Sequence, residues 1–135
     1  MKLFASIVAL FITLSLCAQD TKMVFQSSNL EVNKKGDKVQ ANNPEAVTTI
    51  TVDLKTNVLT IQTTNADIIE LMRKDLDRKI EKQLGDVTKT QFSLQLEDMM
   101  FAHFYLDKNK IILTRSDIHP LKWGIQMRDI ILRDN

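Results

Sequence analysis

The chain has 135 residues, of which 18 are lysine or arginine and 17 aspartate or glutamate, for a formal net charge of +1. So even a balance, with no basic block, argues against nucleic acid or an anionic membrane as the main partner. Apolar residues make up 44% of the chain and are patterned, which argues against disorder, and the length suits one domain with its own core.

Met1 to Ala18 reads as a secretory signal peptide. Lys2 gives the charged start, Leu3 to Leu16 an uncharged apolar run, and Cys17-Ala18 a small-residue exit before Gln19-Asp20. The run is shorter than the roughly 20 residues that span a bilayer. The leader resembles those of ordinary secreted proteins of Gram-negative bacteria, which implies a secreted or periplasmic location with cleavage after Ala18. Loss of the 18 residues leaves 117 and removes Lys2, so 17 basic side chains face 17 acidic ones. Cys17 is the single cysteine, so residues 19–135 are expected to hold together by packing alone. A lipidated Cys17 would tether the protein to a membrane. That chemistry normally follows a small residue, and Leu16 is bulky.

Met23 to Asn33 has strand character, with Leu30 and Val32 opposite Glu31, and Asn33 to Asp37 holds a turn with Gly36 at its left-handed position. After the break at Asn42-Asn43-Pro44 the most regular stretch begins. Ile50, Val52 and Leu54 alternate with polar residues, and so do Leu59 and Ile61. A two-residue turn at Thr56-Asn57 predicts Leu54 opposite Leu59 and Val52 opposite Ile61, all on one buried face; Thr56 tolerates positive φ poorly, so a looser turn is the alternative.

Ala66 to Leu84 is predicted to be an amphipathic helix. Ile68, Ile69, Met72, Leu76, Ile80 and Leu84 gather on about half of its circumference. Thr64 or Asn65 caps its start, Gly85 stops it, and Glu70–Lys74 and Asp75–Lys79 are exposed charge pairs. The competing reading is a long charged strand through the same residues. Next, Phe92, Leu94 and Leu96 alternate with Gln91, Ser93 and Gln95. A turn at Glu97-Asp98 predicts Leu96 opposite Met99, Leu94 opposite Phe101 and Phe92 opposite His103. A further reversal at Lys108-Asn109 sets Tyr105 beside Ile112 and His103 beside Thr114. The strand Met99 to Asp107 is apolar on both faces, so it is expected to be interior and covered twice. Trp123 to Leu132 reads as a last strand or a short helix.

Chemistry-bearing motifs are few. Gly36, Gly85 and Gly124 stand too far apart for a phosphate cradle. His103 and His119 are the two histidines, too few for a zinc site, and Asp107-Lys108-Asn109-Lys110 fits a polar turn better than a calcium loop. No nucleophile elbow occurs, and Ser93 and His103 are expected on opposite faces. No catalytic residue, cofactor or metal is assigned. The one constellation pointing to a ligand is His103 and Tyr105 projecting with Phe92, Phe101 and Met99: an apolar wall with two polar handles. Its ordinary alternative is core, with His103 satisfied and the Tyr105 hydroxyl at the rim.

The expected fold class is therefore α+β and mainly antiparallel: a meander or partly closed barrel or sandwich of six to eight strands with one helix at 66–84. In outline it resembles lipocalin-like barrels, though no motif carries a family assignment. The expected function is that of an exported, non-enzymatic binding module for an apolar or amphipathic small ligand. The alternative is a protein-interaction or inhibitor-like domain, its partner an unknown small molecule or protein.

Overall fold

The computed structural model describes residues 22–72 and 76–133, so the predicted leader and the Glu70–Lys74 and Asp75–Lys79 pairs lie outside, or partly outside, the described residues. Among the described residues there are eleven strands: β1 Lys22–Ser27, β2 Asn29–Lys34, β3 Asp37–Asn42, β4 Thr48–Asp53, β5 Val58–Gln62, β6 Asp77–Leu84, β7 Gln91–Leu96, β8 Met100–Tyr105, β9 Lys110–Arg115, β10 Trp123–Arg128 and β11 Ile131–Arg133. One helix, α1 Ala66–Met72, lies between β5 and β6. The strands form one antiparallel sheet in the order β11-β1-β4-β5-β6-β7-β8-β9-β10-β2-β3, which is not closed. Mainly antiparallel meander with one helix is thus the architecture, with more strands than expected.

Two bent segments bring the ends of the sheet together. β1 runs into β2 through Ser28, and β10 reaches β11 through Asp129 and Ile130; β2 pairs with β10 and β1 with β11. At the bend Ser27 is buried, and its hydroxyl donates to the Arg128 carbonyl while accepting from the Asn29 amide. Asp129 turns at φ 52° and accepts from Asn29 Nδ2 at 2.8 Å. Strands that bend this way let one sheet wrap a common core. Phe25 of β1 accordingly meets Phe104 of β8, ring centroids 5.4 Å apart.

The first hairpin keeps its predicted face in a different register. Ile50 opposes Ile61 and Val52 opposes Leu59, with Leu54 to Asn57 forming a longer loop in which Asn57 takes φ 58°. Asp53 Oδ1 accepts from the Lys55 and Thr56 amides there, an Asx turn the two-residue reading did not include. A slip of two residues preserves which side chains are buried.

The predicted helix 66–84 is corrected to a helix at 66–72 followed by a strand. Asn65 Oδ1 caps α1 by accepting from the amides of Asp67 (2.9 Å) and Ile68 (3.0 Å), and Ile68 and Met72 are buried. From Leu76 onward the period changes. Arg78 and Ile80 point inward, while Asp77, Lys79 and Glu81 point outward. β5 and β7 each need a neighbour for their free backbone groups, and β6 supplies both ladders. That demand outweighs a helix propensity of a few tenths of a kcal/mol per residue. Gly85, at φ 94°, ends the strand rather than the helix.

Candidate functional site

The β7–β8 hairpin decides where the predicted site residues go. Its turn is centred on Asp98 and Met99, both at positive φ (62° and 61°), one residue later than predicted. Every pairing therefore changes face: Phe92 opposes Phe104, Ser93 opposes His103 and Gln95 opposes Phe101. Met100, Ala102 and Phe104 enter the core with Phe92 and Leu94. The Phe92 ring stacks on Phe104 at 4.6 Å. Met99 sits at the turn tip, largely exposed. Of the five predicted residues, only Phe101, His103 and Tyr105 share a face, the outer one.

On that face His103 bridges two strands. Ser93 Oγ lies 2.8 Å from Nδ1 and Thr114 Oγ1 lies 3.1 Å from Nε2, so the expectation that Ser93 and His103 diverge is corrected. Phe101 lies parallel to the imidazole with centroids 6.1 Å apart, and Lys110 Nζ sits 5.7 Å from the centre of the Tyr105 ring. Partial burial pushes the His103 pKa below its ordinary value of 6.5. The neutral ring donates from one nitrogen and accepts at the other, which is what two hydroxyls satisfy. The third member of this row is a threonine where a triad would place a carboxylate.

A larger depression lies beside α1. Lys34, Lys35 and Asp37 at the β2–β3 turn, Glu70 and Leu71 of α1, and Arg115, Ile118, Lys122 and Trp123 line an open groove of about 820 Å³. A smaller recess of about 250 Å³ shares Leu71, Arg115 and Trp123 and adds Arg78, Asp98, Met72 and Met100. The Trp123 ring is packed into the core, and the Arg115 guanidinium carbon stands 5.9 Å from its centre. Arg115 also grips Asp117 through Nε (2.9 Å) and Nη2 (2.7 Å), which holds that carboxyl below its ordinary range. Lys34 bridges Asp67 (2.7 Å) and Glu70 (3.3 Å), and the Asp67 hydrogen bond raises its pKa. The groove thus offers four basic side chains against two acidic ones over an apolar floor of Leu71, Ile118 and Trp123. None of the residues expected at a site lines this groove, because its members come from four separate segments with no shared periodicity.

Among the described residues no three His, Cys, Asp or Glu side chains are grouped to hold a metal ion, and no helix is long and apolar enough to cross a membrane. The molecule belongs to the class of small, mainly antiparallel sheet proteins with one short helix packed beside the sheet. No protein-family model, curated protein or solved structure matches the chain.

Proposed function

We propose that this chain is a non-enzymatic binding protein that takes a small amphipathic molecule with an anionic head into the groove beside α1. The observation that carries this reading is the groove itself: its volume falls in the range of small-molecule sites, and its lining combines apolar residues with basic ones. Lys35 and Lys122 stand exposed at that rim, and Arg115 spans from rim to floor. Anilinonaphthalene sulfonate, an anionic apolar fluorophore, is expected to brighten on binding and to be displaced by laurate. Lys122→Glu with Arg115→Gln is expected to weaken it by about a hundredfold, since two charge-assisted contacts contribute on the order of 1.5 kcal/mol each. Unchanged affinity in that double variant would rule the site out.

The expected leader supports export, and amino-terminal sequencing of protein from the native host should begin at Gln19. A second reading, the interaction domain, rests on the edge strand β11, where Ile131 and Leu132 are each about 60% exposed beside unpaired backbone groups. Ile131→Lys should abolish association with a partner strand while leaving the groove intact.

A further inference from the structure

We propose that a cleft at Gly124, on the outer face of the sheet and separate from the groove, is a second binding site for a small flat ring that carries an O–H or N–H donor. Gly124 opposes Asn33 across the β10–β2 pair. Its neighbours Trp123 and Ile125 are buried in the core, so position 124 faces outward, where glycine leaves the backbone bare. The resulting cleft holds about 140 Å³. That is close to the roughly 150 Å³ that accommodates a benzene ring in a protein cavity. Ile112, Pro120 and Leu121 supply apolar walls, and Thr114 and Gln126 polar ones. Bare backbone at a sheet glycine is a surface that aromatic rings cover well.

Asn33 gives the site its polarity. Its side chain is buried to 7% exposure, and Nδ2 donates to the carbonyls of Pro120 (3.3 Å) and Leu121 (2.8 Å). Two carbonyl partners fix which end of the amide is nitrogen. Oδ1 is then a buried acceptor with no hydrogen-bond partner, in a residue that lines the cleft. A buried acceptor left unsatisfied costs free energy, which a donor on the incoming ring recovers once Asn33 shifts to present Oδ1, itself almost wholly covered, to the cleft. A phenol or an indole has the shape and the donor; an aliphatic chain has neither.

The test uses phenol and its methyl ether, anisole, titrated into the whole protein and followed by amide chemical shifts. Phenol is expected to move the Gly124, Thr114 and Asn33 amides at millimolar concentration, and anisole to bind about tenfold more weakly for want of a donor. Gly124→Ala fills the floor: its added carbon would stand 3.4 Å from the Leu113 carbonyl oxygen and 3.7 Å from that of Pro120, ordinary contacts that let the variant fold. It should abolish the shifts and leave anilinonaphthalene sulfonate binding in the groove untouched, so the two sites stand or fall separately. No shift with phenol, or equal binding of anisole, overturns the proposal. So do shifts that survive Gly124→Ala, because phenol then binds somewhere other than the cleft.

Discussion

Phe104→Ala and Phe101→Ala form a matched pair that tests the face assignment of β8. Phe104 is wholly buried, stacked on Phe92 at 4.6 Å and tilted against Phe25 at 5.4 Å. Truncating such a ring removes its transfer free energy and leaves a cavity, for about 4 kcal/mol. In a domain of this size that corresponds to a fall of roughly 15 °C in Tm. Phe101 lies on the outer face, keeps part of its surface in water and stacks on His103. Its loss should cost about 1 kcal/mol. Urea unfolding followed by the fluorescence of Trp123, the single tryptophan, reads both variants with one probe. Equal costs, or a larger cost for Phe101→Ala, would show that β8 is turned the other way and that the Asp98-Met99 turn is misplaced.

Three further outcomes are expected. Because burial lowers the His103 pKa from 6.5, the unfolded chain takes up the proton first, so stability falls as pH drops below about 6.5 and levels off once the folded ring is also protonated; denaturation midpoints across that window should slope in the wild type and flatten in His103→Gln. Asn65→Ala removes the acceptor for two amides of α1 and should cost about 1 kcal/mol in a urea titration, with Asn65→Ser recovering most of it. Ser27→Ala strips the hydroxyl that ties the two bent segments, at a cost of about 1–3 kcal/mol, and hydrogen exchange should quicken at β11 before it does at β8.

Alternation made the pairs legible, and parity decided whether their faces were. In the first hairpin the polar threonines at 49, 51 and 60 left only one set able to be buried, so a two-residue error in register changed nothing inside. Strand β8 has no such asymmetry. Phe101 and Phe104 are identical residues on opposite faces, and only the turn separates them; a methionine at positive φ is a choice that local preference does not favour. The helix was legible through its Asn65 cap and lost at its far end, where the charged sequence of β6 suits a helix locally and a strand only once β5 and β7 flank it. Ser28 carries no breaking signal between β1 and β2, because the bend is imposed by the hydroxyl of Ser27 and the distant Arg128 carbonyl. His103 was legible as important, while its partners were assigned to the wrong side. The groove was not legible at all: its charges meet only because β2, α1, β9 and the segment before β10 converge there.

The pairing of β1 with β11, and of β2 with β10, joins residues about a hundred positions apart. Ribosomal synthesis delivers β1 and β2 long before β10 and β11, so these two pairings cannot form until the later strands have emerged. Contacts of such sequence separation slow assembly and lengthen the time for which strand edges stay uncovered. A nascent chain of this design leaves β1 and β2 without these partners until Trp123–Arg133 emerge.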